Sequence, residues 1–176
     1  ARSTAQYPGS DGVQDFTVTI NGGVEVLYLD TLNFAVNALG GNDTIAVQTP
    51  APNSAAWNVQ LTLDGGLPTG SDTVVFGTPG SDVVQYTPSG ADSGTLTLDQ
   101  ALDSITTLSQ IEHLTYDGEG GNDLFTVVAP AASTTSYSPG STTDAANVQV
   151  NNFLPIALTN LGTGGQALQL AAGAGS

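Results

Sequence analysis

The sequence predicts an all-β protein built from repeats, a parallel β-helix or β-solenoid, and three observations lead to that class. Segments with an apolar residue at every second position recur along the chain. Gly, Pro, Asn, Asp and Ser separate these segments, as they do between strands. One glycine motif also returns at a nearly constant spacing. An antiparallel β-sandwich with an exchanged terminal strand is the alternative, because similar turns join the strands of that fold.

The alternating segments define the predicted strands. In FTVTI (16–20), Phe16, Val18 and Ile20 share one face, and WNVQLTL (57–63) alternates in the same way. Further predicted strands are TVVF (73–76), DVVQY (82–86), TLTL (95–98), LFTVV (124–128) and NVQV (147–150). One segment favours a helix instead, since the apolar residues of QALDSITTLSQI (100–111) recur every third position.

Self-alignment of the chain reveals a repeat with a period of about forty residues. HLTYDGEGGNDLFTV (113–127) matches ALTNLGTGGQALQL (157–170), FAVNALGGNDTIAV (34–47) and GTPGSDVVQY (77–86). The anchor glycines are Gly41, Gly80, Gly121 and Gly165, which are 39, 41 and 44 positions apart. Repeats of this kind bury their apolar faces by stacking on their neighbours. We therefore expect residues 1–176 to form a single elongated β-repeat domain.

The repeats share the corner Gly-[Ser/Asn]-Asp, which occurs at residues 9–11, 41–43, 70–72, 80–82 and 121–123. These corners resemble the Gly/Asp-rich (GGND-type) repeats of large secreted bacterial surface proteins and, distantly, RTX calcium-binding β-roll repeats. The resemblance implies a parallel β-roll or β-helix, secretion, and calcium (Ca²⁺) binding at the corners. The residues it designates as ligands are Asp11, Asn42, Asp43, Asp72, Asp82, Asn122 and Asp123. A purely structural interpretation stays open, because Gly supplies positive φ and Asn or Asp caps its own turn without an ion.

Charge limits the classes of partner. Sixteen acidic residues face a single base, Arg2, and the net charge is −15. Nucleic-acid binding requires Lys and Arg to neutralise phosphates, so it is not expected.

Membrane insertion is not expected either, because no apolar run approaches the roughly 20 residues that a spanning helix needs. The chain contains no cysteine, and a trypsin-type protease would find only Arg2, which suits an extracellular location.

The sequence predicts no enzyme. His113 is the only histidine, and no Gly-x-Ser-x-Gly nucleophile elbow is present. A polysaccharide lyase would need a Lys or Arg near the substrate carboxylate, and Arg2 is the only such residue in the sequence. A glycoside hydrolase needs two carboxylates at a defined separation, and no pair stands out in the sequence.

These observations favour an extracellular structural protein, a subunit or segment of a bacterial surface filament or layer. We expect it to associate head to tail with itself, through strands within 16–20 and 147–158. An adhesin-like module that binds carbohydrate or a cell surface is the alternative, with Tyr86, Tyr116 and Tyr137 as the aromatic candidates for surface glycans. A glycoside hydrolase is the third class considered.

Overall fold

The computed structural model describes residues 14–49, 58–67, 70–98, 104–162, 164 and 167–173. The secondary structure of these ranges consists of β-strands joined by turns. The strands are β1 (Phe16–Val18), β2 (Val26–Tyr28), β3 (Asn33–Asn37), β4 (Thr44–Gln48), β5 (Gln60–Asp64), β6 (Thr73–Gly77), β7 (Val83–Gly90), β8 (Ser93–Leu98), β9 (Ile105–Ser109), β10 (His113–Asp117), β11 (Leu124–Ala129), β12 (Thr135–Pro139), β13 (Ala146–Val150), β14 (Ile156–Thr159) and β15 (Leu168–Ala172).

The strands form two large sheets, neither of which closes on itself, and one small hairpin. The six-stranded sheet has the order β12-β13-β14-β10-β6-β4, and the seven-stranded sheet has the order β15-β11-β7-β8-β9-β5-β3. Neighbours among β4, β6, β10 and β14 are parallel, as are those among β3, β5 and β9 and among β7, β11 and β15. The prediction of an all-β protein is confirmed. A purely antiparallel sandwich does not describe these parallel neighbours.

The antiparallel pairs arise where the chain turns back inside one sheet. Strands β7, β8 and β9 form one such meander, and β12, β13 and β14 form the other. Elsewhere the chain passes from one large sheet to the other through a corner. Partner residues on parallel neighbours lie 29 positions apart for Thr44 and Thr73, and 40 positions apart for Thr73 and His113.

One apolar core lies between the two large sheets. Strand β7 alternates buried and partly buried residues, with Val84 and Tyr86 facing inward, and β11 repeats the pattern with Phe125 and Val127. The ring of Phe125 lies 4.9 Å from that of Tyr116, on β10 of the other sheet. Side chains at every second position therefore meet in the core, as the period of two predicts.

The helix predicted over 100–111 is wrong for the part that the structure describes. Residues 105–109 are β9, an interior strand that pairs with both β5 and β8. Thr106 and Leu108 are buried, whereas Thr107 between them is exposed, so burial has a period of two rather than three. Three β-branched residues in succession, Ile105 to Thr107, favour the strand. No helix suited to crossing a membrane is present in the described ranges.

Candidate functional site

The Gly-x-Asp corners fall into two stacks, each at the start of strands of one sheet. The first corner stack comprises residues 41–43, residues 70–72 and Glu112, which precede β4, β6 and β10. The second corner stack comprises residues 80–82, residues 121–123 and residues 160–162, which precede β7, β11 and β15. Successive members of each stack belong to neighbouring parallel strands, so their corners lie one above the other.

In the first corner stack, acidic side chains hold neighbouring corners together. The backbone N–H of Asp43 donates to Asp72 Oδ1 over 2.8 Å. The N–H of Asp72 donates in turn to Glu112 Oε2 over 2.8 Å. Each carboxylate thus accepts the amide hydrogen that a strand neighbour would otherwise bind, and a charged acceptor strengthens the bond. The hydrogen-bond ladder of the sheet thereby continues into the turn.

The second corner stack repeats this arrangement. The N–H of Asp82 donates to Asp123 Oδ1 over 2.9 Å. The N–H of Asp123 donates to the carbonyl oxygen of Leu161 over 3.0 Å, and the N–H of Leu124 donates to the carbonyl oxygen of Asp82 over 2.8 Å. Asp123 therefore connects its own corner to the corner at residues 80–82 and to the corner at residues 160–162. The carboxylates of Asp72 and Asp123 thus have a structural role that requires no ion.

Glycine is needed in these corners because the turns pass very close to one another. A methyl group at Gly121 would overlap the carbonyl oxygen of Gly80, and one at Gly70 would overlap that of Gly41. A methyl group at Gly162 would likewise overlap the carbonyl oxygen of Gly121. At these three positions, backbone packs directly on backbone, which no residue with a Cβ atom allows.

These contacts define a register that differs from the self-alignment of the sequence. Gly41 lies against Gly70, 29 positions later, and not against Gly80. Gly121 lies against Gly80 and Gly162, 41 positions away on either side. The chain therefore holds two interleaved sets of corners. The self-alignment merged them because the same short motif starts strands in both sheets. Gly165 lies outside the described residues.

The second oxygen of the corner aspartates is buried. Asp72 and Asp123 are 2% and 3% exposed. Their Oδ2 atoms, and that of Asp43, have no hydrogen-bond donor among the residues that the structure describes. A buried carboxylate oxygen without a donor costs free energy, so these atoms are sites where a proton or a cation would be favourable.

A glycine and a backbone carbonyl border the two most buried of these oxygens. A methyl group at Gly65 would lie 2.6 Å from Asp72 Oδ2 and would also overlap the carbonyl oxygen of Gln110. One at Gly118 would overlap Asp123 Oδ2 and would lie 2.7 Å from the carbonyl oxygen of Asn160. The same grouping of carboxylate, glycine and carbonyl thus occurs in both corner stacks.

Electrostatics at Asp123 reflects this environment. Burial raises the pKa of its carboxyl to about 6, and the carboxylate of Asp82 adds a smaller upward contribution. The hydrogen bond from the Asp82 amide lowers the pKa and offsets part of that effect. The corner therefore disfavours a bare negative charge at this position, as expected for a desolvated acid beside another acid.

The other predicted ligands fit an ion less well. Asn42 Oδ1 accepts the N–H of Ser71 over 3.0 Å, so it is already engaged within the first corner stack. Asn122 is exposed, and Asp11 lies outside the described residues. No group of three or more acidic, histidine or cysteine residues in the described ranges is arranged to hold a metal. Among the described residues, a calcium ion at a corner would have one Asp oxygen and one neighbouring backbone carbonyl as protein ligands, with water completing the set.

The histidine has a serine partner that the sequence did not reveal. His113 Nε2 and Ser71 Oγ lie 2.8 Å apart on the exposed side of the first corner stack. The nearby amides are already engaged, because those of Ser71, Asp72 and Thr73 donate to Asn42 Oδ1, Glu112 Oε2 and the Asp43 carbonyl oxygen. These three amides are therefore engaged in holding the corner, and none of the three is free to stabilise an oxyanion.

Two of the three tyrosines considered for glycan binding are not available to a ligand. Tyr86 and Tyr116 are 1% and 0% exposed, whereas Tyr137 is 54% exposed. Tyr86 donates its hydroxyl hydrogen to the carbonyl oxygen of Leu154 over 2.8 Å, which ties β7 to the loop before β14. An aromatic surface for stacking on sugar rings is thus reduced to one residue among these three.

Sequence reasoning missed three residues of the corner stacks. Glu112 replaces a corner aspartate where no Gly-x-Asp motif is present, and its signal is its position directly before β10. Gln110 and Asn160 contribute backbone carbonyls and have positive φ angles of 54° and 52°. Asn tolerates that conformation, but no sequence pattern would single out Gln110.

No family model, no curated protein and no solved structure matches this chain.

Proposed function

We propose that this chain is an extracellular structural protein, a subunit or segment of a bacterial surface filament or layer that associates end to end with itself. In this proposal the parallel parts of the two sheets act as a short solenoid whose open ends are continued by further copies. The observation that carries it is the polarity of the edge strands. Both large sheets end, at both ends, in an edge strand that runs in the same direction.

The polarity follows from the pairing. In the six-stranded sheet, β12 is antiparallel to β13 and β13 is antiparallel to β14, so β12 runs in the direction of β14, β10, β6 and β4. In the seven-stranded sheet, β7 is antiparallel to β8 and β8 is antiparallel to β9. Strands β9, β5 and β3 therefore run in the same direction as β7, β11 and β15. A second copy related by translation would therefore meet β12 with its β4, and β15 with its β3, as parallel neighbours.

With the exception of one proline, the four edge strands lack the sequence features that prevent such pairing. Their sequences are NFAVN, TIAVQ, TSYSP and LQLAA for β3, β4, β12 and β15, and none contains a charged residue. Natural edge strands that must stay single are commonly protected by charge, proline or bulges. Of these devices, only Pro139 is present, at the end of β12.

The structure corrects one of the two junction segments predicted from the sequence. Residues 147–158 include most of β13 and β14, which both have strand neighbours on each side and offer no free edge. Pro155 lies in the loop between them and interrupts neither strand. Residues 16–18 form β1, which among the described residues pairs with β2 alone in a separate hairpin, so this segment stays a candidate contact. The edges of the two large sheets are β3 and β4 at one end and β12 and β15 at the other.

The corners suggest a second, compatible role for calcium. The buried oxygens of Asp72 and Asp123 lie beside backbone carbonyls, and the chain has a net charge of −15 with a single base. In this proposal, calcium at the corners reduces repulsion between carboxylates of neighbouring strands and stiffens the stack. It is an accessory to assembly and not the source of a separate activity.

Electron microscopy and sedimentation velocity over a concentration series test the proposal, with calcium and after chelation. Filaments or layers in both conditions would support a metal-independent polymer. Assembly that disappears on chelation would assign the corners an ion as well. A monomer at all concentrations in both conditions would refute the proposed function.

A further inference from the structure

We propose that the two ends of the molecule are unequal partners: the open β12–β15 end of one copy receives the β1–β2 hairpin of the next copy. This inference rests on the proposed function and specifies its contact surface. It is argued from the way in which each end of the core is covered.

At the β3–β4 end, the β1–β2 hairpin covers the core. The ring of Phe16 stacks on that of Tyr28 at 5.2 Å, and both rings meet the edge of Phe34 on β3 at 5.0 and 5.1 Å. Phe16 is buried, and Tyr28 and Phe34 pack against the core cluster. The apolar side chains on edge strand β3 thereby have a cover within their own chain.

At the β12–β15 end, apolar side chains that face the core are exposed. Leu170 on β15 lies opposite Val127, which is buried, and Tyr137 on β12 lies opposite Val148, which is also buried. Residues directly opposite on neighbouring strands share a face of the sheet, so both side chains point to the core side. Yet Leu170 is 51% exposed and Tyr137 is 54% exposed. Within the described residues, the core at this end lacks a final layer.

The hairpin presents apolar side chains outward as well. Nine large apolar side chains in the described ranges are exposed, and five of them lie within residues 20–32. The most exposed are Ile20 at 74% and Val24 at 88%. Glu25, next to Val24, is only partly exposed and has an interaction partner in its own chain. With Leu170 and Tyr137, seven of the nine exposed side chains belong to the two ends.

A second copy is the occupant that fits this distribution. Translation of one copy along the stack brings its hairpin end to the open end of the previous copy, with all edge strands running in the same direction. Strands β12 and β15 carry no charge, whereas the molecule as a whole is strongly negative, so contact between copies is least opposed there. Apolar burial at both surfaces then favours a heterologous, head-to-tail contact.

Cysteine cross-linking tests the pairing, since the chain has no cysteine of its own. We would prepare Leu170→Cys and Val24→Cys, oxidise each variant alone and as an equimolar mixture, and follow assembly of the same samples by sedimentation. The expected result is a disulfide-linked dimer in the mixture only. A dimer formed by Leu170→Cys alone would indicate a symmetric contact and would overturn the inference. Assembly without any cross-link would overturn the inference but leave the proposed function intact, whereas no assembly would overturn both.

A second measurement distinguishes coverage of the β12–β15 end by a partner copy from coverage by other residues of the same chain. The thiol of the Leu170→Cys variant should react rapidly with a maleimide at concentrations where the protein is monomeric, and slowly when it is assembled. Protection in the monomer would show that residues of its own chain cover this end, and the inference would fail.

A polar substitution at the open end tests the contribution of apolar burial to the contact. Leu170→Gln should raise the concentration needed for assembly by roughly tenfold, because a leucine is no longer buried at the contact. Leu67→Gln is the matched control, since Leu67 is exposed in the corner between β5 and β6 and should have no effect. Equal effects of the two substitutions would contradict a contact at β15.

Discussion

Replacement of Gly121 by alanine tests whether the corners hold the strands together by direct backbone contact. The added methyl group would overlap the carbonyl oxygen of Gly80 on the neighbouring corner, and it would lie 3.2 Å from Asp123 Oδ1. The φ angle of Gly121 lies outside the left-handed region, so the overlap rather than a positive φ is the dominant effect of alanine there. The two corners must move apart for the methyl group to fit.

The expected loss follows from the bonds that this movement weakens. Separation of the corners stretches the 2.9 Å bond from the Asp82 amide to Asp123 Oδ1 and the 2.8 Å bond from the Leu124 amide to the Asp82 carbonyl. A bond to a charged group contributes about 1.5–3 kcal/mol and a neutral one about 1 kcal/mol. We therefore expect the free energy of unfolding to fall by about 2.5–4 kcal/mol, a large fraction of the roughly 5–15 kcal/mol that holds a domain together.

Urea unfolding followed by circular dichroism measures this difference, with Gly120→Ala as the control. Gly120 has a φ of +91° and no atom within 4 Å of an added methyl group, so its substitution introduces backbone strain without a clash. That strain should cost about 1–2 kcal/mol. If Gly121→Ala were no more destabilising than Gly120→Ala, the close contact between corners would not stabilise the fold and the reasoning would be refuted.

Three further predictions concern the same corners and the core. The raised pKa of Asp123, about 6, means that the folded state holds its proton more tightly than the unfolded chain, so stability should rise as the pH falls from 7 to 5. Allowing for solvent screening, Asp123→Asn should remove about 1–2 kcal/mol of this pH dependence; unfolding curves that are equally pH-dependent in the variant would contradict it. Tyr86→Phe leaves the buried carbonyl of Leu154 without its donor and should cost about 1–2 kcal/mol in urea unfolding, whereas Tyr137→Phe, at an exposed position, should cost nothing measurable. Calcium should raise the melting temperature of the wild-type protein more than that of Asp72→Asn; equal shifts in differential scanning calorimetry would argue against an ion at Asp72.

Most strands were predictable because the alternation of buried and outward-facing residues within a strand can be read from its own sequence. Alternation identified β6, β7, β8, β11 and β13 close to their observed positions, although β7 continues beyond the predicted segment into its meander. The outward positions of these strands carry Thr, Gln, Ser and Asn but also apolar residues such as Val75 and Val128, so the period of two is clear in β8 and β13 and weaker in β6 and β11. The exception, 105–109, shows the limit of that signal. A strand of three Thr or Ser residues and two apolar ones gives no clean pattern, and its assignment depends on β5 and β8 on either side.

The pairing of the corners was not predictable, because it depends on where the meanders lie. Between β6 and β10, the chain makes the β7-β8-β9 excursion within one sheet, and a second excursion precedes β14. These excursions separate sheet neighbours by about forty positions, but β4 and β6 have none between them and lie 29 positions apart. A constant period read from the motif therefore joins Gly41 to the wrong corner. The motif does not identify Glu112 at all. This residue shares with the corner aspartates only its carboxylate and its position directly before a strand, β10.

The sequence leaves each corner aspartate open as either a structural cap or a calcium ligand, and at Asp123 these two roles would use different oxygens. The carboxylate of Asp123 uses Oδ1 to accept the amide of Asp82, which fixes the register of two neighbouring strands. The other oxygen, Oδ2, is buried without a donor, and a backbone carbonyl borders the same glycine. One side chain can therefore fix the turn through one oxygen and take up a proton or a cation through the other. Because the turn already forms through Oδ1, removal of an ion should weaken the stack without unfolding it, and this distinguishes such corners from sites that fold only around their metal.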